Sequence, residues 1–170
     1  MRRPGTFHVV LTTLLCSFTA TTVAGSLPAP TGEVLLRIFG KIETPNHGAD
    51  ALFDFRGLAA LPASELETST AWNEEPVRFE GVLLRDLLAA VGAQGQTLHA
   101  SAVNDYAVAI PAADARAYDV LVAYRMNGAA MELRDKGPLW IVYPVDQNPE
   151  LEGPETEAKM IWQLRELEVR

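Results

Sequence analysis

Apolar positions fall in short alternating runs along most of the chain, and only one stretch holds a sustained helical period. "EVLLRIFGKIE" (33–43) reads as a strand in which Gly40 marks a bulge or a close backbone approach. Turn chemistry at Pro45, Asn46 and Gly48 follows, and Phe53 and Phe55 alternate as a second strand. "RGLAALPASELETS" (56–69) carries one helical turn ended by Pro62, and after "TAWNEEP" comes the short strand "VRFEG" (77–81). Leu83, Leu84, Leu87, Leu88 and Val91 then repeat at helical spacing, with Gly92 placed as a C-terminal cap. "TLHASAVN" (97–104) and "YAVAIP" (106–111) read as strands around Asn104-Asp105, and "AADARAYD" (112–119) as a brief helix or turn. "VLVAYRMNG" (120–128) is a strand turning at Asn127-Gly128, and "LWIVYPV" (139–145) is another apolar run of strand length. "AKMIWQLRELEV" (158–169) is ambiguous, but its closing "LRELEV" alternates like a strand. Many short strands with one clear helix predict a sheet-dominated α+β domain.

The N-terminus departs from this pattern. Arg2 and Arg3 precede "FHVVLTTLLCSFTATTVAG" (7–25), which has no acid, lysine or arginine and ends in small residues. That layout predicts a secretory signal peptide over residues 1–25, a single domain over 26–170 and a periplasmic location. An uncleaved anchor is the rival reading, weakened by the many Thr and Ser residues in the stretch. Lipid attachment at Cys16 is disfavoured by the large Leu14 and Leu15 before it. The chain carries 14 Lys and Arg against 22 Asp and Glu; without Arg2 and Arg3 the cations fall to 12 and the net charge to −10. So acidic a domain is repelled by nucleic acid and anionic lipid, which excludes both as expected partners, and no membrane insertion is expected once the signal is removed. Removal of Cys16 with the signal leaves no disulfide, no thiolate ligand and no cysteine nucleophile.

The remaining polar residues give little self-contained catalytic chemistry. His47 and His99 stand far apart without cysteine support, unlike the paired ligand spacings of zinc sites, so no metal held by protein side chains is expected. Ser69 and Thr70 lack a Gly-x-Ser-x-Gly elbow, and no glycine-rich phosphate loop is present. Trp72 sits among polar neighbours, where an aromatic plate either stacks on a flat ligand or seals a core edge. Asn104, Asp105 and Tyr106 meet at a strand junction and read first as a turn, with ligand contacts as the alternative. Arg125 interrupts an apolar strand, on a side that alternation turns outward, and Arg134, Asp135 and Lys136 stand directly before Gly137-Pro138.

Taken in order, "FEGVLLRDLLAAVGA", "NDYAVAIPAAD", "YDVLVAYRMNG", "RDKGPLWIVYP" and "IWQLRELEV" resemble the sulfite-oxidase-type molybdopterin-binding domain over roughly residues 34–170. The resemblance implies a compact mixed α+β fold with a cleft for a pterin-bearing cofactor. Catalytic members hold molybdenum through a cysteine just before the "GVxLRDLL" helix; here Thr68, Ser69 and Thr70 occupy that region. A neutral hydroxyl cannot replace a soft, anionic thiolate, so molybdenum is not expected. The chain is more similar to a short periplasmic branch of the fold. Its members bind a pterin without catalytic metal and report to membrane sensors such as diguanylate cyclases, the enzymes of cyclic di-GMP signalling, or histidine kinases. The resemblance then implies a non-enzymatic module for a reduced pterin, partnered by the periplasmic domain of such a sensor. Its implied ligand set is Trp72 for stacking, Asp105 and then Asp135 as the carboxylate facing the pterin N–H groups, Arg134 or Lys136 at its carbonyl, and Asn104 and Tyr143 completing hydrogen bonds. Gly137 and Pro138 are expected to be architecture. Two other readings remain: a molybdopterin oxidoreductase, or subunit of one, with a non-cysteine metal environment, and an interaction domain without a ligand.

Overall fold

The computed structural model describes residues 27–170; the expected signal peptide and Cys16 lie outside the described residues. Strands β1 (Val34–Gly40) and β2 (Ala51–Asp54) lead into α1 (Phe55–Ala59), and a long hairpin follows, β3 (Ala63–Thr70) with β4 (Asn73–Leu83). Helix α2 (Leu84–Ala90) precedes β5 (Thr97–Ala102), β6 (Ala107–Pro111) and the single turn α3 (Asp114–Ala117). Then come β7 (Leu121–Met126), β8 (Ala129–Ala130), β9 (Trp140–Val142), two 3-10 turns at Val145–Gln147 and Pro149–Leu151, α4 (Pro154–Lys159) and β10 (Leu164–Val169).

Two sheets form, confirming the sheet-dominated α+β architecture. One has the order β2-β1-β10-β5-β6; the other runs β3-β4-β7-β8, with β9 also paired to β7. The closing strand β10 lies at the centre of the first sheet, parallel to β1 and antiparallel to β5. Strand β9 joins the sheets: besides its pairing with β7, Ile141 N–H donates to Ile161 O at 2.9 Å and Leu164 N–H donates to Leu139 O at 3.0 Å. Alternation decides which side chains fill the core. Leu36, Ile38, Leu98 and Leu167 from one sheet are fully buried, as are Phe79, Val82, Leu121 and Ile141 from the other. Each such side chain contributes about 1.5–3 kcal/mol relative to exposure. Leu84, Leu87, Leu88 and Val91 of the α2 segment close over them, and Gly92 takes the left-handed cap conformation at φ 62°.

Gly40 is a close backbone approach, as its position suggested. A Cβ there would lie 2.3 Å from Val169 O, so the parallel β1–β10 pairing requires glycine. Gly137 is equally constrained, since a Cβ would lie 2.0 Å from Met131 O. Two element expectations need correction. Phe55 opens α1 instead of continuing β2, because Asp54 accepts a hydrogen bond from Gly57 N–H at 2.7 Å and starts the helix. "ASELETST" is an edge strand: Leu66, Thr68 and Thr70 point inward and Glu65 and Glu67 outward, an alternation disguised by its inward threonines. No described helix is long and apolar enough to cross a membrane.

Candidate functional site

The tip of the β3–β4 hairpin carries Trp72. Its ring packs edge-on against Trp162, centroids 4.8 Å apart, and against Trp140 at 5.9 Å; Trp140 and Trp162 meet at 6.3 Å. All three tryptophans of the chain therefore form one cluster. Trp140 is its buried base, fixed by its indole N–H donating to Met160 O at 2.9 Å, whereas Trp72 is 38% exposed. Hydrogen bonding supplies no protein acceptor to the indole N–H of Trp72 or Trp162 among the described residues.

A cleft of about 360 Å³ opens on this cluster. Trp72 and Trp162 form its aromatic wall, the β5–β6 turn supplies Ala102, Asn104 and Tyr106, and Pro154, Glu157, Ala158, Met160 and Ile161 come from α4 and the segment after it. Tyr106 spans from the turn to the helix, its hydroxyl donating to Ala158 O at 3.0 Å. Asn104 spends its Oδ1 on Tyr106 N–H at 3.2 Å, which leaves its NH2 donors for a ligand. The size and composition suit a flat heterocycle: an apolar slot with a few polar groups at its edge.

Of the seven candidate residues, Trp72 and Asn104 line this cleft. The other five do not, each for a physical reason. Asp105 sits at φ 66° in the β5–β6 turn, exposed, its N–H donating to Ala102 O at 3.2 Å, so it shapes the turn. Arg134 is exposed and pairs with Glu132 at 2.9 Å. Asp135 is exposed, and its backbone N–H closes a turn on Glu132 O at 3.0 Å. Lys136 places its ammonium 5.0 Å from the centre of the Trp140 ring and does not line the cleft. The segment 133–136 is braced by Gln163, whose side-chain amide donates to Leu133 O at 2.7 Å and whose N–H donates to Lys136 O at 3.1 Å.

Tyr143 is fully buried and belongs to a different polar group. Its hydroxyl donates to Asp114 Oδ2 at 2.8 Å, and Lys159 Nζ donates to the same oxygen at 2.9 Å. Burial first, and then the Asp114 carboxylate, push the Tyr143 hydroxyl far above the ordinary tyrosine range, so it stays protonated as a donor. This network anchors α4, the helix that supplies one side of the cleft. Arg125 also lies away from the cleft. It is half-buried, its guanidinium 5.9 Å from the Phe55 ring centre and its Nε without a hydrogen-bond partner.

Sequence reasoning missed Trp162, Tyr106 as a cleft-spanning residue, and Glu157. Trp162 carried a signal in "IWQL", an aromatic just before the alternating run, but its nearness to Trp72 depends on β9 joining the two sheets. Glu157, on a two-turn helix unpredicted as such, carried none.

The segment expected to hold a metal thiolate is fully committed to structure. Thr68 is buried, and its Oγ1 accepts from Asp146 N–H at 3.2 Å; Ser69 N–H donates to Asp146 Oδ2 at 2.8 Å, and its hydroxyl donates to the same oxygen at 3.2 Å. Thr70 Oγ1 donates to Asn73 Oδ1 at 2.7 Å. These hydroxyls fix the hairpin and dock the 145–147 turn on the β3 edge. They offer molybdenum no anionic sulfur. The family model of the oxidoreductase molybdopterin binding domain matches residues 60–146, more than half of the chain. No curated protein matches the chain.

Proposed function

The chain belongs to the oxidoreductase molybdopterin binding domain family, and on that premise we propose that it is an exported pterin-binding protein without catalytic metal, whose ligand state is read by a membrane signalling partner. The observation that carries this reading is the exposed Trp72–Trp162 wall, with two uncommitted indole donors beside the free amide of Asn104. A reduced pterin presents a flat face for Trp72 and a carbonyl edge for the Asn104 NH2 group. The pterin class follows from the family; the absence of metal is supported by the hydroxyl-only chemistry of Thr68, Ser69 and Thr70. Export is supported by the N-terminal sequence pattern. A protein partner of the diguanylate cyclase or histidine kinase sensor type is supported by exposed Val103, Tyr106 and Leu133, which flank the cleft. Gln163 ties this flank together, accepting from Val103 N–H at 3.0 Å and donating to Leu133 O.

Titration of the purified protein with a reduced pterin, followed by tryptophan fluorescence, tests the reading. Saturable quenching is expected, with affinity lowered about fivefold or more in Trp72→Ala, since stacking on one aromatic ring contributes on the order of 1–3 kcal/mol. Quenching that does not saturate, or equal binding by Trp72→Ala, rejects it. Metal analysis of protein purified from its native host separates this reading from an oxidoreductase, for which stoichiometric molybdenum is the expected result.

A further inference from the structure

Among the described residues that line the cleft Glu157 is the only carboxylate, and none is a lysine, arginine or histidine. Three cations on neighbouring segments have partners of their own. Lys159 is held by Asp114 on the far side of α4, Lys136 rests on Trp140, and Arg134 pairs with Glu132. The cleft also continues past Glu157 and Met160, which it shares with a second, wider groove of about 620 Å³. That groove runs beneath the hairpin tip at Ser69–Ala71 and carries Asp146 and Glu152 in addition to Glu157, again without a cation. A ring stacked on Trp72, with its edge toward Trp162, can extend a substituent past these acids or outward to solvent.

We propose that this site, taken as the pterin site argued above, selects pterins whose arm carries no phosphate and turns away phosphorylated forms, with Glu157 as the specificity-determining residue. An enzyme-type molybdopterin site needs the opposite, a cationic clamp for the terminal phosphate of the cofactor. Here a phosphate on the arm meets a carboxylate at the junction of cleft and groove, two more beyond it, and the acidic field of the whole protein. The selection thus distinguishes a protein that captures a free pterin from one that houses the assembled molybdenum cofactor. It is a property of the α4 side of the cleft, independent of the missing thiolate on the hairpin side.

The test uses two probes differing in one group: a reduced pterin with a hydroxymethyl arm, and the same pterin phosphorylated on that arm. Calorimetric titration at low salt is expected to show the hydroxymethyl form bound about tenfold or more tighter, the size of a like-charge contact at a few ångströms in a mostly hydrated site. Raising the salt narrows the ratio. Glu157→Gln is expected to reduce the ratio, and Glu157→Lys to reverse the preference. Equal or tighter binding of the phosphorylated probe by the wild type overturns the selection while leaving the pterin reading standing. An unchanged ratio in Glu157→Gln overturns the role of Glu157. If neither probe binds, the pterin reading itself falls, and the selection with it.

Discussion

Two polar-aromatic groups lie on either side of α4, and they are built from the same two segments of the chain. On one side Trp162 faces the open cleft with Trp72, and Trp140 lies buried beneath them; on the other Tyr143 and Lys159 close around Asp114. The ingredients are alike: an aromatic from "KGPLWIVYP", a partner from "AKMIWQL" and a carboxylate. The difference lies in satisfaction. Asp114 Oδ2 receives two donors, Tyr143 is fully buried, and Lys159 sits 5.1 Å from the Tyr143 ring centre, so the members of this group are paired with one another. Among the described residues the cleft keeps indole N–H groups and an amide without a protein acceptor, and an exposed ring. A closed group of this kind holds an element in place, and an open one awaits a ligand.

The largest way to break that contrast is to open the closed side. Asp114→Ala strands a buried ammonium and a buried phenol and is expected to cost about 3 kcal/mol in chemical denaturation. A loss below about 1 kcal/mol would mean that the network does not anchor α4. Truncating the open side is expected to cost less: Trp72→Ala gives up two edge-on aromatic contacts, about 1–3 kcal/mol, while removing the wall that binding needs. Affinity falling without a comparable fall in stability sharpens the contrast; the reverse order erases it.

A smaller effect comes from Asp54, another closed site. Hydrogen bonds from the backbone N–H groups of Gly57, Gly32 and Thr31 hold its carboxyl down to about 2 from an ordinary value of 3.8. Because the folded value is depressed, its contribution is complete above the ordinary carboxylate range and is lost as pH falls toward about 2. Acid titration of thermal stability should therefore show wild type and Asp54→Asn converging between about pH 4 and pH 2, with Asp54→Asn the less stable at neutral pH. A constant gap through that window contradicts the assignment. Smallest of all is Arg134→Ala, which removes only an exposed pair with Glu132 and is expected to change stability by less than about 1 kcal/mol and pterin affinity not at all. A clear loss of binding would return the 134–136 segment to the site.

Local patterns made most of the strands readable, because inward and outward residues alternate wherever one face of a sheet is buried. Helix α2 was readable from its leucine spacing, and the β7–β8 turn from Asn127-Gly128, both of which take positive φ. The two failures have local causes: Asp54 caps a helix where phenylalanines suggested continued alternation, and inward Thr68 and Thr70 hide a strand behind polar letters. The site was less legible because its parts meet across the sheets. Trp72 and Asn104 could be chosen as exposed groups at strand junctions. Trp162 and Glu157 could not, since only the threading of β9 between β7 and the 161–164 segment brings them to the hairpin tip. The charged run 134–136 misled for the opposite reason, a conspicuous cluster whose backbone is occupied by Gln163.

The gathering of every tryptophan into one edge-packed cluster has an optical consequence. Excitation absorbed by any of the three rings migrates within a few ångströms to the others, so the chain behaves as a single chromophore located at the cleft. A ligand that quenches Trp72 darkens the whole protein, and the coupled transitions of the rings give the near-ultraviolet circular dichroism a signature that reports the geometry of this one place.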